Sequence, residues 1–460
     1  MPLRSYVQSS TPEIAALEHA DAGLAIRRIA VPAAFAFLGD QLLGIVDTIA
    51  IGTLGTAALA QITTAMSVFL VFGIGLFGFG SGLRILGAQA IGAGRGDRFG
   101  TIVRSSIVVP LALAIVIAGV LAICAHPLMA AMLPPHVATT GAARYLAIRG
   151  LSLVPMVVTG MLATAFATSG DTKISLRILI VVNLVHIPLL GVLALGVLTH
   201  HPLGLGGAAL SSLVAELIAC AYTIAQTVQR PEFRIFSSRR IERELVLATA
   251  SLSWPDFVFL ALQLIPAPVT VALLAPSGAE TIGALRALEV VNDATWALPG
   301  SLGDAFGTIV GQRIGASDYD GAETFLRKGR AIALRTCALA AALVAALAWP
   351  LSALFTFSPR LATIAFAPLA THVALTLPLK GLAMANVAPI RAAGDTRWVM
   401  RMGIFTTIIS IGTIVLGIDG FHIGLWSLPL GFSVGWIYRN IATARQLAAG
   451  DWRRRARYAS

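Results

Sequence analysis

Apolar stretches of about twenty residues recur along the whole of this chain, with short polar segments between them. A stretch of that length is what one α-helix needs to cross a bilayer. No segment alternates with the period of two that a membrane barrel requires. Composition agrees: 57 % of the 460 residues are hydrophobic and 12 % are charged. A water-soluble chain would have to expose much of that apolar surface, whereas lipid accepts it. We place twelve spans at 24–50, 57–83, 101–125, 143–167, 176–198, 206–228, 246–274, 281–307, 330–354, 361–386, 399–417 and 422–441.

The formal net charge of +11 raises the possibility of nucleic-acid binding, but the basic residues sit in short loops and in the tail. Arg95, Arg98, Arg104, Lys173, Arg177, Arg230, Arg239, Arg240, Arg313, Lys328, Arg391 and Arg397 fall on alternate loops, and Arg453, Arg454 and Arg455 in the tail. The intervening loops near 52–57, 199–205, 275–280 and 418–421 hold no Lys or Arg. Such alternation sets membrane orientation and puts both termini in the cytoplasm. The organisation expected is a segment 1–23, a first lobe 24–228, a linker 229–245, a second lobe 246–441 and a basic tail 442–460. No cleaved signal peptide is expected at the start. Cys124, Cys220 and Cys337 are far apart and have no metal-ligand spacing. No nucleotide-binding or hydrolase motif appears, so neither an enzyme nor a cofactor is expected.

The chain also repeats itself. At an offset of 223 residues Pro32 meets Pro255, Gly80 meets Gly303, and Gln89-Ala90-Ile91-Gly92-Ala93 meets Gln312-Arg313-Ile314-Gly315-Ala316. One residue further, Gly170-Asp171-Thr172 meets Gly394-Asp395-Thr396. Six spans per copy is an even number, so both copies enter the membrane in the same direction. Parallel repeats of this kind are known in secondary transporters.

The stretch from Leu43 to Gly55, with Asp47, Gly52 and the Leu54-Gly55 pair, resembles the multidrug and toxic compound extrusion (MATE) family. The Gln89–Gly94 block and both Gly-Asp-Thr triplets are similar to that family as well, and the wording from Leu42 to Gly55 looks most like its DinF-like branch. The resemblance covers about residues 20–445. It implies an all-α membrane protein of twelve helices in two six-helix lobes, arranged as a V, that performs cation-coupled efflux. It maps the first-helix aspartate to Asp47, a helix-bending proline to Pro32 and a fifth-helix asparagine to Asn183. A second acid present in many members falls at Ile187, and the seventh-helix glutamate of another branch falls near Gln263. The first departure removes a hard oxygen ligand and the second puts a neutral amide where that branch has a carboxylate, so protons rather than sodium are the expected coupling ion. Organic cations or amphiphiles are the expected cargo, lipid the expected surroundings and a monomer the expected state. Relatives in the wider superfamily flip lipid-linked sugars; a lipid-linked oligosaccharide or lipid flippase and a sodium-coupled drug antiporter stand as the alternatives.

Ionisable groups inside spans are costly and so are candidates for function. Asp40 and Asp47 lie seven residues apart, on one helical face and roughly 10 Å from each other. An acid in that setting can take up and release protons, which couples transport if the two forms favour different conformations. Asn183 can hydrogen-bond a carboxyl or serve as glue between helices. His186 titrates near neutral pH when unperturbed, but a histidine among apolar residues is also a common packing residue. The repeat mate of Asp47 is Thr270, so the lobes are chemically unequal. In the eighth span Arg286 and Glu289 are three apart and can neutralise each other, while Asp293 is a candidate for facing a cavity. Lys380 in the tenth span can pair with an acid or snorkel. Pro32 removes one backbone hydrogen bond and permits a kink.

Overall fold

The structure, a computed structural model, describes residues 22–133, 138–198, 200–230, 241–274, 281, 285, 288, 291–350 and 359–455. Arg286 and Glu289 lie outside these residues. The described chain is helical: α1 Ala22–Gly52, α2 Thr56–Phe77, α3 Gly80–Gly92, α4 Gly96–Met132, α5 Thr140–Leu151, α6 Leu153–Ser169, α7 Lys173–Leu189 and α8 Gly204–Val228. The second half follows with α9 Arg243–Leu262, α10 Pro266–Leu274, α11 Ala297–Gly315, α12 Tyr319–Ala346, α13 Pro359–Ala392, α14 Thr396–Val415, α15 Ser427–Ala448 and the short α16 Asp451–Arg455. Among the described residues nine helices are long and apolar enough to cross a membrane, including Gln61–Gly92, Gly96–Met132, Thr140–Ser169 and Ala367–Ala392. The other three expected spans fall on α1, α11 and α15.

Several spans are interrupted: the second parts into α2 and α3 at Gly78–Phe79, and the fourth into α5 and α6 at Ser152. The seventh is not one helix but two, α9 and α10, parted at Gln263–Ile265. Pro266 explains the break: its ring disfavours helical backbone in the residue before it, and it has no N–H to donate. The eighth extends to Gly315 and is nicked at Trp296.

Burial runs opposite to that of a soluble protein. On α4 the small residues Ala114, Ala118 and Ala125 are buried, while Ile115, Val116, Val120 and Ile123 are exposed, the last at 81 %. Small residues let membrane helices approach closely, and lipid covers the large apolar ones.

The repeat reappears in backbone irregularities. Gly94 and Ser317, which the self-alignment pairs, both have positive φ, 72° and 60°. Gly170 and Gly394 close their helices at φ 103° and 85°. A π turn follows the fifth span of each copy, at Leu190–Ala194 and at Leu416–Gly420.

Two compact units emerge from the packing. One comprises Met1–Ala34, Ala88–Gly94 and Val258–Ser460; the other comprises Phe35–Gly87 and Arg95–Phe257. The divide falls inside three helices, after Ala34 in α1, after Gly87 in α3 and after Phe257 in α9. In α1 and α9 it lies two residues beyond a proline, Pro32 and Pro255.

Within the unit that holds Val258–Ser460, Ala25, Ile26, Ile29 and Ala30 of α1 join a core with Leu302, Phe306, Ile309 and Val310 of α11 and Ala333 and Cys337 of α12. The Gln-x-Ile-Gly blocks cross here. A Cβ on Gly92 would strike the carbonyl of Gln312, and one on Gly315 would strike the carbonyl of Gln89. Gln89 Nε2 then donates to Ala392 O at 2.7 Å. The repeated motif is therefore a reciprocal helix crossing, backbone against backbone. At the end of the chain Trp452 packs edge-on against Tyr319 at 6.3 Å, and Arg453 pairs with Asp320 and Glu323.

Within the other unit Ser253 of α9 bridges to α3: its hydroxyl donates to Phe79 O at 2.9 Å and accepts from Gly82 N at 3.0 Å. Arg230 pairs with the buried Asp171 of the first Gly-Asp-Thr triplet at 2.9 Å, and Arg98 with Glu242 at 3.0 Å.

Candidate functional site

In the unit that holds Phe35–Gly87, Asp47 of α1 meets His186 of α7, with 2.6 Å between Asp47 Oδ1 and His186 Nε2. Small residues bring the two together. A Cβ on Gly39 would collide with Leu179, so α1 and α7 pass closely there. Eight residues on along α1 and seven along α7 the helices are still side by side, which makes them parallel. His186 lies just before Pro188 and the π turn at Leu190–Ala194. Such turns interrupt the regular hydrogen-bond ladder and recur at functional sites. Gly207 of α8 packs on Leu193 O of that turn, which carries Ser211, one helical turn later, to the back of the imidazole. Ser211 Oγ is 3.4 Å from His186 Nδ1.

His186 is 3 % exposed at its side chain and Asp47 29 %, so the carboxylate is the accessible side of the pair. Ser211 Oγ also lies 2.8 Å from Ala208 O. This geometry serves two protonation states. As an imidazolium, His186 donates from Nε2 to Asp47 and from Nδ1 to Ser211, whose own proton goes to Ala208 O. As a neutral ring it still donates to Asp47, and the Ser211 hydroxyl turns to donate to Nδ1. One hydroxyl rotation thus accommodates the gain or loss of a proton. Asp47 and Arg149 both act electrostatically on the nearby Tyr145.

The remaining expected residues distribute unevenly. Asn183 does not reach Asp47; its amide donates to Leu179 O, one turn back in its own helix, at 2.8 Å. Ile187 is 43 % exposed, so the neighbouring residue, His186, is the one turned toward the aspartate. A helix rotates about 100° per residue, and that single step decides between them. Asp40 lies in α1, and its side chain is outside the described residues. Pro32 sits inside α1, and Gln263 at the break between α9 and α10, where its N–H reaches Phe259 O at 3.2 Å.

Asp293 and Lys380 belong to the other unit. Asp293 is exposed and accepts from Asn292 Nδ2 at 3.3 Å. Lys380 does not snorkel: it is 3 % exposed and donates to Asn292 Oδ1 at 2.6 Å. Ser211, Asn292 and His372 were not singled out from the sequence. A signal did exist for one of them, because His372, Thr376 and Lys380 stand four residues apart in an apolar span and so share a helical face.

The MatE family model matches the chain twice, over residues 32–191 and 257–416, two blocks that begin 225 residues apart. The chain belongs to the MATE family. MATE family members are transporters, not enzymes. Among similar proteins, a probable multidrug resistance protein YoeA of Bacillus subtilis is 24 % identical over 62 % of this chain and 63 % of its own length. A probable multidrug resistance protein NorM of Rhizobium meliloti is 29 % identical over 54 % of this chain and 52 % of its own length. The chain thus spans less than two thirds of the length of these two relatives. A solved structure of a multidrug resistance MATE family transporter of the MOP superfamily, in an outward-facing conformation, superposes with a TM-score of 0.87 at 18 % identity, covering 96 % of this chain and 99 % of that one. The MATE fold of twelve membrane helices in two six-helix repeats is therefore the fold of this chain.

Proposed function

We propose that this MATE protein is a proton-coupled antiporter that exports organic amphiphiles, often cationic, across the cytoplasmic membrane, with both termini in the cytoplasm. The observation that carries the reading is the Asp47–His186 pair at 2.6 Å, with Ser211 behind the ring. A buried imidazole between a carboxylate and a rotatable hydroxyl can exchange a proton without leaving a buried polar atom unpaired. The pair also favours protons over sodium, because His186 directs an N–H at the carboxylate, where a metal ion would need lone pairs. Cargo bound from the inside would be released when the pair takes up a proton from outside. Orientation rests on the alternation of basic loops.

The test is efflux of a fluorescent organic cation from sodium-free proteoliposomes under an imposed pH gradient, comparing wild type with Asp47→Asn. Gradient-driven transport that the substitution abolishes is the expected result. Transport that requires sodium, or that survives Asp47→Asn unchanged, refutes the assignment. Failure to move any of several cations would favour a lipid-linked substrate.

A further inference from the structure

The unit that holds Val258–Ser460 contains a second polar constellation, with charge opposite to the first. On α13 His372, Thr376 and Lys380 line one face and are 2 %, 1 % and 3 % exposed. Lys380 Nζ lies 2.6 Å, and His372 Nε2 3.1 Å, from the same oxygen, Asn292 Oδ1. Lys380 Nζ also stands 5.3 Å from the ring centre of Trp296, and the His372 ring meets Phe432 edge-on at 5.4 Å. His372 Nδ1 is buried and has no hydrogen-bond partner among the described residues.

Two nitrogens that can both donate thus converge on one neutral amide oxygen. A buried ammonium normally has an ionic partner or several acceptors, because desolvating it is costly. Here its hydrogen-bond acceptor is an asparagine, with the exposed carboxylate of Asp293 acting on it from beyond that amide, so the atom in direct contact with the ammonium is neutral and holds a place that an anionic oxygen would fill better. The fold does not demand this cluster: at the offset of the Gly-Asp-Thr triplets, the repeat mate of Lys380 is Met156. Asn292 and Trp296 are half-buried and form the more exposed side of the cluster.

We propose that Lys380, His372 and Trp296 form an anion-recognition site that takes the carboxylate of a flat aromatic amphiphile. The arriving oxygen replaces Asn292 Oδ1 between the two nitrogens, and the aromatic body lies along the indole. One lysine and one histidine match a monoanion; a pyrophosphate would call for more cationic groups. This inference rests on the transporter reading above and extends its cargo to compounds that carry a carboxylate.

The experiment is equilibrium dialysis of the purified full-length protein in detergent, against empty micelles, with 1-naphthoate and its uncharged analogue 1-naphthamide. Wild type is expected to bind the carboxylate about tenfold more tightly than the amide, the scale of one charge-assisted hydrogen bond. Lys380→Met is expected to erase that preference, and Lys380→Arg to retain most of it. His372→Gln, which keeps an N–H donor, serves if Lys380→Met does not fold. Equal binding of acid and amide by wild type, or a preference that survives in folded Lys380→Met, overturns the proposal. Binding of phenyl phosphate or phosphatidylglycerol, without naphthoate binding, reassigns the site to phosphate groups and also overturns it. Because the readout is binding and not gradient-driven efflux, failure here leaves the Asp47 reading standing, and failure of proton coupling leaves this one standing.

Discussion

At the residue scale the glycines divide into those that face backbone, those that face side chains and those with open space around them. A methyl on Gly92 has the Gln312 carbonyl in its way, and a carbonyl in a helix cannot rotate aside. Gly92→Ala is therefore expected to lower stability by about 1–3 kcal/mol. Gly119, with open space around it, is the control: Gly119→Ala should raise stability by about 0.5–1 kcal/mol, since alanine restricts the unfolded chain. Thermal unfolding of the solubilised proteins separates the two. Gly94 and Ser317 offer a matched pair, because the same left-handed turn carries glycine in one copy and serine in the other. Gly94→Val should cost about 1–2 kcal/mol, while Ser317→Gly should not destabilise. His186 allows a sharper functional prediction. His186→Gln keeps a donor for Asp47 but cannot titrate, so cargo binding should persist while pH-driven efflux is lost. Persistence of both would remove His186 from the coupling mechanism.

Helices show where sequence reading succeeds and where it stops. Spans were legible because hydropathy over twenty residues is a sum in which single errors cancel. The aspartate of α1 was legible because an acid in such a span is rare. Its partner was not, since Asn183 and His186 differ by three residues and only the packing of α7 decides which faces α1. The π turns at Leu190–Ala194 and Leu416–Gly420 were invisible, as no propensity marks them; Pro188 hints at the first alone. The partner of Lys380 was hidden for another reason, because Asn292 lies 88 residues away in the chain. Prolines act on whole helices. Pro32 and Pro255 each stand two residues before the point where their helix passes from one compact unit to the other. Pro32→Ala restores a backbone hydrogen bond worth about 0.5–1.5 kcal/mol and is expected to stiffen α1. Slower efflux with unchanged cargo binding is the expected outcome, and unaltered turnover would mean that the proline only shapes a static bend.

At the scale of the whole molecule the two halves of the sequence are not the two bodies of the protein. The first turns of α1 complete a core built from α11, α12 and α13, so a substitution near the start of the chain should be felt near its end. Ile29→Ala is expected to cost about 2–4 kcal/mol. All tryptophans but Trp254 belong to that unit, so their fluorescence on heating reports its melting, and a lowered transition is the expected result. The reciprocal contact of Gly92 with Gln312 and of Gly315 with Gln89 has a historical corollary. Because each copy presents to the other what it receives from it, a half-length ancestor could have used the same surface to associate with a second copy of itself. Once the copies were joined in one chain, those four positions remained bound to one another: a change on one side of the crossing can be accepted only if the other side makes room for it.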